Sequence, residues 1–283
     1  MKRKWVLICF AALIPAAAVI AASKAQTDNT GSDATAEITA PKACQRTLLA
    51  SFDPDKGEFF GHNVPIWSLG DGSAVMFSSG MTIDADGAPN AYNPDNTGLD
   101  DLANAGMPGH WDGIVTRHGE PFVQGSDDPF PGFYVSQTAL VDWSKEMTDP
   151  ARYVDASKIP YVVLPEGLSR QFGARLGDFA VVVNMRRGVA ANAIFADIGT
   201  LGEGSIALAD ALGIWSNARE GGTRGGILYV IYPGSGNHHP RTLDEINSET
   251  DKIFQQWGGM EQLSSCRTGL DASHPQMVDR SFH

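Results

Sequence analysis

Residues 179–214 read FAVVVNMRRGVAANAIFADIGTLGEGSIALADALGI, and the fold turns on how this stretch divides. FAVVVN (179–184) is a short apolar run that suits a strand. NMRRG (184–188) makes a hairpin connection in which Gly188 is free to take a positive φ. ANAIFA (191–196) returns as a second strand, and GSIALADALG (204–213) has the pattern of a helix. Between that strand and that helix stand two acids, Asp197 and Glu203, around Gly199, Gly202 and Gly204.

The same reading extends outward. AVMFSS (74–79), YVVLP (161–165) and GILYVIY (226–232) are further strands, and Pro160 and Pro165 bracket the second without costing ladder bonds. TLDEINSETDKIFQQWGG (242–259) is the other helix, with Leu243, Ile246, Ile253, Phe254 and Trp257 near one face and glycines at its end. The 31 glycines and the short apolar runs favour strands joined by turns over long helices. The expected fold is mainly β (α+β), a single domain with a β-barrel-like or sandwich core and a few short helices. Pattern does not separate barrel from sandwich.

The amino terminus has Lys2, Arg3 and Lys4, an apolar run from Trp5 to Ala22, and a small-x-small site ending at Ala25. That order marks residues 1–25 as a secretory signal peptide, with a membrane anchor as the alternative. Residues 26–40 are polar and read as a disordered leader, 41–270 as the folded domain, and 271–283 as a flexible tail. A secreted or periplasmic protein without stable membrane association is expected. The formal charge is −12; loss of residues 1–25 takes four basic residues and no acid, leaving −16. Such a chain is a poor partner for nucleic acid and attracts cationic ligands instead. Cys44 and Cys266 flank the domain, and an oxidising compartment predicts a disulfide between them.

Hydrolysis of a glycosidic bond needs one protonated acid at the leaving oxygen and a second carboxylate as base or nucleophile. Asp197 and Glu203 are the candidate pair. The competing reading is an acidic turn whose Glu203 sits in the first turn of the helix, where the dipole favours its ionised form. Asp84 and Asp86, in DADG (84–87), are candidates to meet an ammonium group or are simply turn formers. The segment lacks the later ligands of a calcium loop. His238 and His239 have no third ligand at useful spacing, so no metal and no cofactor is expected. A Gly-x-Ser-x-Gly nucleophile motif is absent. Trp67, Trp111 and Trp143 are either sugar platforms or core, and Lys158 is either a positioning residue or a surface lysine.

Four segments in order, SGMTIDADGA (79–88), YVDASKIPYVVLP (153–165), LGDFAVVVN (176–184) and IFADIGTLGEGSIALADALG (194–213), carry a family pattern. The chain resembles the fungal-type chitosanases of glycoside hydrolase family 75 over roughly residues 70–232. The resemblance implies an inverting endo-hydrolase of chitosan with Asp197 and Glu203 at the positions of the two essential acids. Between them Glu203 is favoured as general acid for its longer reach, with Asp197 activating water. Its partner would be a cationic amino-sugar polymer, and a monomer is expected. Alternatives are hydrolysis of another amino-sugar polymer such as peptidoglycan, or a non-catalytic polysaccharide-binding module. Residues 88–150 match nothing in the pattern.

Overall fold

The computed structural model describes residues 44–54, 63–70 and 72–267. They lie in one compact unit, Ala40–His283. The expected signal peptide, the leader and the tail beyond residue 270 lie outside the described residues. Eight principal strands are β1 (Arg46–Phe52), β2 (Val64–Leu69), β3 (Ala74–Asp84), β4 (Tyr161–Leu164), β5 (Phe179–Asn184), β6 (Val189–Ile198), β7 (Glu203–Ser205) and β8 (Thr223–Ile231). Four helices are α1 (Glu166–Gln171), α2 (Ile206–Ala211), α3 (Leu243–Trp257) and α4 (Gly259–Arg267).

Six strands close on themselves in the order β3-β7-β4-β6-β5-β8, with β8 pairing back to β3. The core is therefore a barrel, the choice that pattern alone left open. Strand β3 makes closure possible through its length. Along one edge Ala74–Met76 pair with β2 and Thr82–Asp84 pair with β7, while the other edge pairs with β8. Strand β1 then adds to β2 as a flap outside the ring. Closure leaves the six ring strands without a free edge between them.

Side chains alternate across each strand, so every barrel strand divides between inside and outside. Val162 and Leu164 of β4, Ala180 and Val182 of β5, and Phe195 of β6 meet inside, around Phe77 stacked on Tyr229 with ring centroids 4.6 Å apart. The Tyr229 hydroxyl satisfies itself there by donating to Gly80 O at 2.9 Å. Outside, Tyr161, Val163 and Ile194 pack under residues 85–160. Val181, Val183, Leu228 and Val230 pack instead against α3 and α4. Cover on both faces explains why FAVVVN is apolar without interruption: all six residues are buried.

Helix α3 begins with a capping box between Thr242 and Glu245, and Ile246 and Phe254 are buried along it. Leu243, expected on the same face, is 42% exposed at the first turn. Helix α4 brings Cys266 to Cys44, and the two form a disulfide across 222 positions of sequence. The hairpin at 184–188 joins β5 to β6, with Gly188 at φ 67°.

Candidate active site

One row of residues crosses three strands and the end of a fourth. Glu203 of β7 lies opposite Thr82 of β3 on one side and Val163 of β4 on the other. Val163 in turn lies opposite Asp197 of β6. The two acids therefore stand on either side of one valine, separated by two strand spacings, about 9.5 Å between backbones.

Strict alternation would not put Asp197 there. Phe195 points into the barrel, and a residue two positions on should follow it. The register with β4 shifts between Phe195 and Asp197, so Ala196 is an extra residue. Ala196 packs in the outer cluster, and Asp197 lines the outer cleft beside Val163. A bulge re-aims a side chain in this way. Glu203 is not in the helix that follows it. Ser205 caps α2 by accepting from Leu208 N at 3.1 Å, and the helix begins only at Ile206. The helix-start reading of Glu203 is thus replaced by a position in the barrel wall.

Each acid is held by backbone. Asp197 Oδ1 accepts from Ala139 N at 2.9 Å and from Ile198 N at 2.8 Å. Glu203 Oε2 accepts from Thr200 N at 2.9 Å. That oxygen also lies where a Cβ on residue 199 would stand, at 2.8 Å, so Gly199 makes room for the carboxylate.

Asp84 and Asp86 complete the cluster. One carboxylate oxygen from each of Asp84, Asp86 and Asp197 lies within 4.8 Å of the others. Asp84 Oδ1 accepts from Asp86 N at 2.8 Å, and Asp86 Oδ1 accepts from the Tyr92 hydroxyl at 2.7 Å. Gly113 lies against both Asp86 oxygens, 2.9 Å from where its Cβ would be. Tyr161 donates to Asp86 O at 3.0 Å, beneath the same acids. Burial first, and the charge of Glu203 second, push Asp84 up to about 7. Burial, then the Asp84 charge, hold Asp86 and Asp197 well above the usual carboxylate range. A cluster of this kind either retains a proton or accepts a cationic group of a ligand.

The acids open into a cleft of about 920 Å³. Asp100, Asp101, Asp112 and Glu220 line it as well, so its walls are acidic. Arg219 also lines it, paired with Asp101. The structure thus brings Asp84, Asp86, Asp197 and Glu203 into one cleft. It does not bring Lys158 there: that lysine pairs with Asp155 at 2.8 Å and lines a separate groove beside α3. His238 and His239 are exposed and stand outside the cleft lining. Trp67 packs in the cluster under α3, Trp111 lies against Tyr134, and Trp143 is exposed with the Arg152 guanidinium over its ring. Sequence reasoning missed Tyr92, Asp100, Tyr161 and Arg219. For Tyr92 and Asp100 the signal was the density of Asn, Asp and Gly in NAYNPDNTGLDDLANAG (90–106), the composition of a loop tied by its own side chains; Tyr161 and Arg219 lie outside that stretch.

The description of the fungal chitosanases of glycosyl hydrolase group 75 matches residues 81–258, well over half of the chain. It includes all four clustered acids and the stretch 88–150 that motif reading could not place. No curated protein matches the chain.

Proposed function

The chain belongs to the fungal chitosanases of glycosyl hydrolase group 75, and from that premise we propose an inverting endo-hydrolysis of chitosan by Asp197 and Glu203. Glycoside hydrolase activity on chitosan comes with the family. Chain position of attack, stereochemistry and residue roles belong to the proposal.

The row Glu203–Val163–Asp197 carries it. Inverting enzymes hold their carboxyl groups about 6.5–9.5 Å apart, leaving room for a water; retaining enzymes hold them at about 5–5.5 Å. Backbones two strand spacings apart, with side chains on the same face, fit the wider class. Val163 forms the floor between them.

The proton is assigned to Asp197. Burial and the neighbouring Asp84 charge favour its neutral form, so it donates to the glycosidic oxygen as the C–O bond breaks. Glu203 takes a proton from the water that attacks the anomeric carbon from the opposite face. The split favoured from side-chain reach, Glu203 as acid, is thereby reversed. Turnover leaves Asp197 ionised and Glu203 protonated, and exchange with solvent resets both. Asp84 and Asp86 meet the substrate's ammonium groups, whose positive charge favours the ionised carboxylates in the complex, and the acidic cleft attracts those groups over a distance. The signal-peptide pattern, together with a disulfide that persists in oxidising compartments, supports export. Among the described residues no helix is long and apolar enough to cross a membrane.

Proton NMR of fresh chitosan-oligomer products tests the stereochemistry. The α-anomer should appear first; initial β-anomer would rule out inversion. Asp197→Asn and Glu203→Gln should each lose about 10²–10⁴ in rate while keeping the parent melting temperature. A folded variant with near-parent rate would remove that residue from the chemistry.

A further inference from the structure

A cation sits oddly among the acids of a cleft that takes a cationic polymer. Arg219 is 28% exposed there, on the loop that leads from α2 to β8. Its donors are committed to the opposite wall. Nη1 pairs with the Asp101 carboxylate. Nη2 faces Asn96 O at 2.8 Å, Asp100 O at 3.0 Å and Gly98 O at 3.1 Å, with Asn96 Oδ1 at 3.4 Å.

Those acceptors lie on one tightly wound turn. Asn96 holds a left-handed φ of 52°. Leu99 N donates to Asn90 O and Asp100 N to Ala91 O, and a Cβ on residue 98 would stand 2.1 Å from Ala91 O. The turn delivers Asp100, whose Oδ2 lies 3.3 Å from the Tyr92 hydroxyl. Tyr92 donates to Asp86, within the acid cluster. The planar guanidinium reaches the Asp101 carboxylate with one nitrogen and the carbonyls of the turn with the other, a fork that the compact ammonium of lysine lacks.

We propose that Arg219 is a positioning residue: it straps residues 96–101 across the cleft and, through Asp100 and Tyr92, sets the Asp86 side of the substrate-binding wall. The inference rests on the chitosan-hydrolase reading of the same cleft. Charge alone predicts the opposite outcome. Removing a positive charge from an acidic cleft should tighten binding of a cationic polymer and lower KM. Loss of the strap should raise KM instead, by about tenfold, the equivalent of one charge-assisted hydrogen bond lost from substrate binding.

The test compares the parent, Arg219→Ala and Arg219→Lys. Hydrogen exchange is followed in peptides covering 91–102, and KM and kcat on chitosan oligomers. Arg219→Ala should lose exchange protection in 91–102 and raise KM. Guanidinium chloride at millimolar concentration should restore both, and sodium chloride at equal ionic strength should not. Arg219→Lys should recover only a minor part. Unchanged exchange in 91–102, a lower KM, or full recovery by Arg219→Lys overturns the proposal. The exchange reading does not depend on hydrolysis. An inactive parent would therefore sink the functional reading while the strap is still decided by protection of 91–102.

Discussion

Gly199→Ala probes the position of Glu203 without touching its chemistry. An added Cβ would stand 2.8 Å from Glu203 Oε2 and 2.9 Å from Val163 Cγ1. Ordinary packing contacts begin near 3.4 Å, so the carboxylate must withdraw by about 0.6 Å and the valine by a similar amount. The backbone itself accepts alanine, because Gly199 is not in a left-handed conformation. Of the two groups that must yield, the carboxylate is the far end of a flexible side chain, whose bond from Thr200 N loosens with it, while buried Val163 is stiff and carries most of the strain. The stability cost should therefore stay within about 1–3 kcal/mol, the range for modest overpacking. That corresponds to a melting temperature lower by no more than about 10 °C. The rate should suffer more, since small misplacements of a reacting group cost up to about 10²-fold. The assay is kcat for reducing-end release from chitosan oligomers, beside a thermal melt. Gly167→Ala, in helix α1 with open space around it, is the control and should match or slightly exceed the parent in both. A Gly199→Ala protein with parent kcat would refute the idea that Glu203 must stand where it does.

Other outcomes follow from the same geometry. Cys44→Ser with Cys266→Ser opens a loop closed across 222 positions and should cost on the order of 5 kcal/mol in the chain-entropy model, read by denaturant titration. An unchanged midpoint would show that packing of α4 already holds the ends. Asp84 has its folded pKa raised to about 7, so the native state binds more protons than the unfolded chain from about pH 4 to 7. Stability from this group is present at low pH and is lost as pH rises through that window. Asp84→Asn should flatten the fall in melting temperature across the window, and an identical pH profile would contradict the assignment. Activity on chitosan should weaken with added sodium chloride through KM, because charges exposed along the cleft are screened over about 10 Å at 0.1 M. A salt-independent KM would mean that the acidic walls do not gather the polymer.

How far the sequence could be read depended on which interactions held each part. Strand β5 was plain because cover on both faces demands an unbroken apolar run, and α3 because a capping box and a buried face leave a periodic trace. Closure was hidden, since pairing of β8 back to β3 is a long-range fact that no local pattern records. Strand β7 is three residues long, too short for any period, so Glu203 read as a helix start. The bulge at Ala196 was invisible for a related reason: an extra residue looks like any other until its partner strand is known. Residues 85–160 escaped because side chains hold them more than ladders do. Gln124 donates to Pro89 O and to Tyr134 O, and Ser136 to Gly113 O, each a bond with no sequence period. The acids themselves were legible as residue types around a glycine turn. That Tyr92 and Asp100 stand behind them was not.

Val163, flanked by an acid on each neighbouring strand, makes the working distance of this site a count of strands. A loop can lengthen by one residue and a side chain by one methylene, but hydrogen-bonded strands sit at a fixed pitch of about 4.8 Å. The gap can therefore change only in whole steps, by adding or losing a strand or by sliding its register. A register slide turns every side chain of that strand to the other face and would empty the barrel of its filling. Substitutions at Asp197 or Glu203 can tune reach and acidity but cannot bring the backbones one step closer. On the proposed reaction, stereochemical outcome in such an architecture is a property of topology, out of reach of substitutions at the two acids themselves. A designer who wanted the shorter spacing would have to place both acids on adjacent strands, with Val163 itself the natural position to surrender.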